Sequence, residues 1–288
     1  MPGQLIVLAT PLGNLGDLSQ RALAALKACD LLVCEDTRTA QALLGALGIA
    51  GKPLEAFHKD SKAGQEDAIV KRVLSRIARG ESVVLTSDAG TPGVSDPGAR
   101  LVAAMHEAGA LVTTVPGPSI VAAAVSVSGF GESGFVFSGF FPRKESDRKP
   151  WLEAALEFET VVVLEAPTRI HKTAEWLAAE VPEIMLCAVK ELTKIHEVIV
   201  RGTPAELVDY LRDQPAKGEW CLVLYRRKEK NRKPKSEDEL GPASVTKTFE
   251  LALASGARLS DLARGMSQEF GAPKSQWYDL GLTLTKKK

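Results

Sequence analysis

The stretch Thr-Ser-Asp-Ala-Gly-Thr-Pro-Gly-Val-Ser-Asp-Pro-Gly at residues 86–98 decides how this chain is read. An apolar run, Ser82-Val83-Val84-Leu85, leads into it, and a helix-like run, residues 99–107, leads out. Three glycines, two prolines and two aspartates in these thirteen residues suit neither helix nor strand, but they suit a shaped loop. Open α/β sheets place ligands at the carboxyl ends of parallel strands, where such a loop would lie. An ordinary surface turn needs only one or two of these residues, so their density here points to a binding loop.

The same pattern recurs on both sides. Residues 5–9 (Leu-Ile-Val-Leu-Ala) form a continuous apolar run, as in a strand covered on both faces, and end in the irregular Thr-Pro-Leu-Gly-Asn-Leu-Gly of 10–16. Asp17 with Gln20 predicts a capping box that opens a helix through Ala28. A strand at 31–34 runs into Glu35-Asp36-Thr37-Arg38, and the helix after it stops at Gly48. A short strand at 54–57, the polar loop 58–65 and a helix to Gly80 come before the opening stretch. After it come a helix to Gly109, a strand at 111–115, the turn Pro116-Gly117-Pro118-Ser119 and a small-residue helix through Val127. Repeated strand, loop and helix predict a largely parallel first sheet, with residues 135–141 as its last strand.

The second half restarts after the charged, proline-bounded segment 142–150, which reads as a linker or flap, solvated or facing RNA. A helix from Trp151, a strand at 160–164, the loop Glu165-Ala166-Pro167-Thr168-Arg169 and a helix ending before Pro182 follow. Strands at 184–189 and 198–200, a helix opened by Thr203-Pro204-Ala205-Glu206, and a strand at 220–225 closing the sheet predict a mixed second sheet. The expected organisation is a first α/β domain at 1–141, a second at 142–226, a charged linker at 227–242 and a small helical module at 243–288. In that module the stretches 245–254, 259–270 and 273–282 predict two or three short helices, and it reads either as a helix-turn-helix-like RNA-binding appendage or as a packing or dimerisation element.

Thirty-six basic and thirty-six acidic residues cancel, so no global field draws in nucleic acid or membrane, and 45% hydrophobic content supports sizeable cores. No apolar run is long enough for a membrane helix, and the chain enters a strand with no signal-like segment. Cys29, Cys34, Cys187 and Cys221 form no C-x-x-C pair and read as buried, reduced thiols of a cytoplasmic protein. There is no phosphate-binding G-x-x-x-x-G-K-[ST], no G-x-G-x-x-G after the first strand and no G-x-S-x-G elbow. His58, His106, His171 and His196 lack ligand spacing, so no metal is expected, and His106 and His171 read as structural. What remains is a set of Gly/Pro loops, each after a strand, converging on a cleft suited to a nucleoside-like ligand.

The blocks Ala-Thr-Pro-Leu-Gly-Asn-Leu-Gly-Asp (9–17), Cys-Glu-Asp-Thr-Arg (34–38), Ser-Asp-Ala-Gly-Thr-Pro-Gly-Val-Ser-Asp-Pro-Gly (87–98), Val-Pro-Gly-Pro-Ser (115–119), Lys-Glu-Leu-Thr-Lys (190–194) and Lys-Gly-Glu (217–219) occur in this order. Together they resemble the bacterial small-subunit ribosomal RNA 2′-O-methyltransferase I family, a branch of the tetrapyrrole-methylase (class III) superfamily. The similarity runs from about Gln4 to Tyr225; the tail around Lys274 resembles the family's helical module only loosely. The resemblance implies a two-domain α/β homodimer that binds S-adenosylmethionine in a cleft and methylates the ribose of a decoding-centre cytidine in 16S ribosomal RNA, free or in the small subunit. By position, the cofactor would meet Pro11, Gly90, Thr91, Pro92, Val94, Asp96, Ser119 and Ile120, with Leu164, Glu165, Val189 and Gly218 from the second half. Arg38, His58, Arg143, Lys144, Arg169 and Lys274 would face RNA. A ribose hydroxyl is a weak acid, so a base should help remove its proton. Candidates are Asp36, Glu35, Asp88 and Glu191, with Lys190 or Arg38 as anchor or pKa modifier, although Asp36 and Asp88 could instead cap helices or brace turns. Two departures bear on substrate contact: His58-Lys59-Asp60-Ser61-Lys62 replaces a His-x-His-Asn-Glu run, and Thr168 stands where relatives often carry His. The alternatives are a methyltransferase acting on a corrinoid precursor or another small molecule, and a non-catalytic RNA-binding assembly module.

Overall fold

A computed structural model of the protein describes residues 3–57, 65–226, 258–270 and 273–285. The run at 58–62, the linker expected at 227–242 and the helix expected at 245–254 lie outside the described residues. The chain divides into two compact units, residues 1–227 and 228–288.

The first unit contains two five-stranded sheets. In the first, β1 (Gln4–Leu8), β2 (Leu31–Cys34), β3 (Leu54–Ala56), β4 (Ser82–Leu85) and β5 (Leu111–Val115) lie in the order β3-β2-β4-β1-β5, all parallel. Alternate residues feed two cores. Ile6, Leu8, Leu32 and Val84 pack with Leu26 of α1 (Gln20–Ala28) and Leu44 of α2 (Thr37–Ala46). Leu5, Val33 and Val83 pack with Ile69 and Val73 of α3 (Gln65–Ala78) and Met105 of α4 (Ala99–Glu107). Burial on both faces is why these strands read as unbroken apolar runs. The register Val7 to Leu85 and Leu8 to Val115 brings the carboxyl ends of β4, β1 and β5 level, so their three loops leave one edge together.

The second sheet joins β6 (Val136–Phe140), β7 (Thr160–Glu165), β8 (Met185–Lys190), β9 (Val198–Gly202) and β10 (Trp220–Tyr225) in the order β6-β7-β10-β8-β9. Strand β6 runs parallel to β7, and the other pairs are antiparallel, so the sheet is mixed as expected. One face packs on α6 (Glu145–Ala155), α7 (Ile170–Glu180) and α8 (Pro204–Leu211), through Leu152, Leu177 and Leu207. The other packs on α5 (Ile120–Ser128), through Val121 and Ala124.

Four local expectations are corrected. The strand at 135–141 belongs to the second sheet, because its partner is β7, and α5 has already carried the chain across. Strand β10 lies at the centre of its sheet, between β7 and β8, rather than closing an edge. The segment 142–150 is largely helical: Glu145 and Asp147 suit the positive end of α6, and burial of Leu152 and Ala155 holds the helix despite Pro150. Helix α1 is capped by Ser19, whose Oγ accepts from Ala22 N at 3.1 Å; Asp17 lies in a separate 3-10 turn capped by Asn14. The capping box at Thr203 and Glu206 is present as read. All four cysteines are buried and free.

In the second unit, α9 (Leu259–Phe270) and α10 (Lys274–Thr285) pack against each other and bury Ala263, Met266 and Trp277. Among the described residues, no helix is long and apolar enough to cross a membrane.

Candidate active site

The loops of the first sheet are tied into one wall. Thr10 and Gly90 exchange backbone hydrogen bonds, 2.8 Å from Thr10 N to Gly90 O and 3.1 Å from Gly90 N to Thr10 O. Thr10 Oγ1 donates to Ser87 O at 3.2 Å, and Thr91 Oγ1 donates to Pro118 O at 3.0 Å, joining the loop 86–98 to the turn 116–119. Gly90 has a φ of +79°, and a Cβ there would come 3.2 Å from Leu12 Cδ2, so a side chain would be strained and crowded at the wall.

Facing this wall are the ends of β7, β8 and β10, and between them lies a cleft of about 410 Å3. Of the expected cofactor residues, Gly90, Thr91, Val94, Asp96, Ser119, Ile120, Leu164 and Glu165 line it. Pro11, Pro92, Val189 and Gly218 do not appear in that lining. Pro11 and Pro92 are buried, and Val189 packs against the α5 side. Gly218 packs close to Glu191 and Lys190: at φ +82°, a Cβ on it would come 2.7 Å from Glu191 Cγ and 2.9 Å from Lys190 Cε.

The candidate acids separate. Asp36 caps α2 by accepting from Arg38 N at 2.7 Å, and it pairs with the Arg38 guanidinium at 2.6 Å. Hydrogen bonding from Arg38 holds its carboxyl down at about 2, and it does not line the cleft, so of its two readings the cap is the one the geometry carries. Glu35, Asp88 and Glu191 do line it. Asp88 Oδ1 accepts from Asp36 N at 3.1 Å, which ties the loop after β4 to the loop after β2. Burial works to raise the Glu191 carboxyl, but hydrogen bonds from Glu219 N (2.9 Å) and Lys194 Nζ (3.1 Å) leave it below its ordinary value. Asp96 is pushed up to about 6, foremost by burial and then by Glu35, with Asp88 and Glu219 adding and a hydrogen bond from Ser87 opposing. Ser95 and Glu191, both in the lining, have φ values of 68° and 49°, and such non-glycine backbone is kept where a site requires it.

Glu165 is 2% exposed and belongs to a closed network. One carboxylate oxygen accepts from Ala166 N at 2.6 Å and from Arg169 at 2.5 Å, and the other accepts from Thr173 Oγ1 at 2.5 Å. Arg169 also donates to Phe141 O at 3.2 Å, so its guanidinium braces the loop that carries Ala166 and Pro167 into the cleft. Arg143, Lys144 and Lys274 are exposed, Arg38 is exposed beyond its pairing with Asp36, and His58 lies outside the described residues. His171 meets Leu211 O at 3.0 Å, in keeping with a structural role. Lining residues that the sequence reading did not single out include Leu12, Phe140, Leu192, Lys194 and Trp220. Leu12, Leu192 and Lys194 lie within motifs quoted above, but the folding of the Lys194 stem over Gly13 could not be read from sequence.

Residues 4–208 match the family of tetrapyrrole (corrin/porphyrin) methylases. The chain belongs to that family. Within it, the chain belongs with the proteins called ribosomal RNA small subunit methyltransferase I. It is 36% identical to the one from Synechocystis sp. over 284 residues, 98% of each chain. It is also 36% identical over 222 residues to the one from Thermotoga maritima, which covers 77% of this chain and 98% of the relative. Among solved structures, a diphthine synthase superposes with a TM-score of 0.59 at 17% identity, covering 77% of this chain and 90% of that one. The uroporphyrin-III C-methyltransferase of Thermus thermophilus, complexed with S-adenyl homocysteine, gives a TM-score of 0.52 at 19% identity, over 77% and 97% of the chains. At such low identity these likenesses show the fold alone.

Proposed function

We propose that the protein uses S-adenosylmethionine to methylate the ribose 2′-oxygen of a cytidine in 16S ribosomal RNA. The observation that carries this reading is the full-length identity to the ribosomal RNA methyltransferases, over 98% of both chains in the Synechocystis relative. The cleft fits the cofactor: its volume suits a nucleoside-sized ligand, and the bare Gly90 backbone allows close approach. Gly90, Thr91, Ser119 and Ile120 would hold the adenosine part, with Leu164 and Leu192 as the apolar wall and Asp96 as the negative group. When bound, the cofactor supplies an electrophilic methyl group on a sulfonium.

The chain's own residues then align and deprotonate. In-line displacement needs no metal, so holding the two reacting atoms in line is the protein's main contribution. We assign removal of the ribose proton to Asp88; its place in the cleft lining and its hold on Asp36 N support that reading. Lys190, with Arg143 and Lys144, offers cations to the RNA backbone. We extend the proposal to a homodimer acting in the cytoplasm, where ribosomal subunits are assembled.

Titrating S-adenosylhomocysteine into the full chain by calorimetry, alongside turnover measurements, tests this assignment. Asp88→Ala should lower kcat about 100-fold while changing cofactor affinity little. Equal loss of both would move Asp88 from proton transfer to cofactor binding, and no binding by the unmutated protein would remove the reading.

A further inference from the structure

Phe140 ends β6, and a bulge sets the direction of its ring. Phe137 pairs with Val162 and Phe140 with Leu164, so β6 carries one more residue than β7 over the same span. Gly139, at φ +73°, takes the turn. One extra residue moves every later side chain to the opposite face. Before the bulge, Phe137 packs on the α5 side, and Ser138 Oγ accepts from Trp151 Nε1 at 3.2 Å on the side of α6 and α7. Unbroken alternation would send Phe140 to the Ser138 side and Phe141 back towards α5. Instead Phe141 is buried edge-on to Trp151 and Trp176, and Phe140 stands beside Leu164 in the cleft lining. Of the two aromatic residues in that lining, Trp220 is buried, whereas Phe140 is 55% exposed. A Phe ring left in water forgoes the stability its burial would bring, and bulges that re-aim a side chain recur beside active sites. Arg143 and Lys144, both exposed, follow it closely in the chain.

We propose that Phe140 is a stacking platform for a base of the RNA substrate, at the rim of the cleft. The inference deepens the function proposed above and rests on it. A base out of its helix presents a π face that an aromatic side chain covers, and single-stranded RNA is held in this way beside cations that meet its backbone. Arg143 and Lys144 supply such cations next to the ring in the chain. The carboxylates of Glu35, Asp88 and Asp96 inside the cleft turn a phosphate away but do not repel a neutral base. A small cofactor is held by enclosure, and Ile120 and Leu164 of its proposed wall are partly buried. A ring more than half open to water stands instead where a macromolecule arrives.

Initial rates on small ribosomal subunits, with calorimetry of S-adenosylhomocysteine, test the platform in the full chain. Phe140→Leu keeps apolar bulk and removes the π face. It should lower kcat/KM for subunits about tenfold or more, chiefly through KM, and leave S-adenosylhomocysteine affinity within about twofold. Phe140→Tyr keeps the ring and should recover most of that loss. The Tm of the free protein should change little, because the ring is exposed. Unchanged kcat/KM in Phe140→Leu overturns the platform. So does a matching loss of S-adenosylhomocysteine affinity, which would give the ring to the cofactor's adenine. A loss that comes with a change of molecular mass in light scattering also overturns it, by giving the ring to a contact between copies. If the unmutated chain binds S-adenosylhomocysteine but methylates no subunits, the proposed function fails before any variant is made, and the platform falls with it.

Discussion

Asp96 carries a conflict between stability and binding. Burial and Glu35 raise its carboxyl to about 6, so the fold favours the protonated form. A group whose folded-state value is raised contributes stability at low pH, and that stability is lost as pH rises through about 6. Above that pH the charged Asp96 works against the free protein, and a bound cation relieves it. Asp96→Asn should therefore raise the Tm of the free protein at pH 8, leave it little changed at pH 4, and weaken S-adenosylmethionine binding about tenfold or more. Thermal melts at the two pH values check the first part, and a lower Tm at pH 8 would contradict it. None of this was legible in the sequence. Asp96 stood out through its loop and its family position, whereas burial, the largest cause of its shift, and Glu35 and Glu219 come from elsewhere in the chain; only Asp88 shares its loop.

At the scale of elements, the loops work because buried devices hold them. The Glu165–Arg169 pair, with the Glu165 side chain fully buried, fixes the loop after β7. Removing one partner of a buried pair leaves an uncompensated charge, so Arg169→Met should cost about 3–5 kcal/mol in urea unfolding. A loss below about 1 kcal/mol, with weakened RNA binding, would return Arg169 to the RNA-facing role that its family position implies. Gly218→Ala should also destabilise the protein, by about 1–3 kcal/mol, because the new methyl group meets Glu191 and Lys190; an unchanged urea midpoint would contradict the close approach. Elements with a strong local signal were readable: the unbroken apolar strands, the Thr203 capping box, and the stops at Gly48 and Gly109, whose φ values are 67° and 69°. What failed was non-local. Nothing in residues 135–141 tells which sheet the strand joins, and the charges of 142–150 hid a helix held by its two buried residues beyond that segment.

At the scale of the molecule, the cleft and both sheets lie in the first unit, and the Thermotoga relative matches only 77% of this chain while using 98% of its own. The cofactor site should therefore survive truncation after Tyr225, with S-adenosylhomocysteine affinity within about twofold of the full chain. RNA affinity and its dependence on salt should fall. Unchanged RNA binding would leave the second unit a structural role. The fold class and the family were legible because the Gly/Pro loops are local in sequence. The row of Glu165, Trp220 and Lys190 was not, because it takes three strands in register to form it. The most direct measurement of the central claim is to incubate the protein with S-adenosylmethionine carrying a labelled methyl group and small ribosomal subunits from a strain lacking the endogenous activity, and then to map the label. The account predicts a single labelled site on 16S ribosomal RNA, on the ribose 2′-oxygen of a cytidine; label on a base, or no label in the RNA, would contradict it.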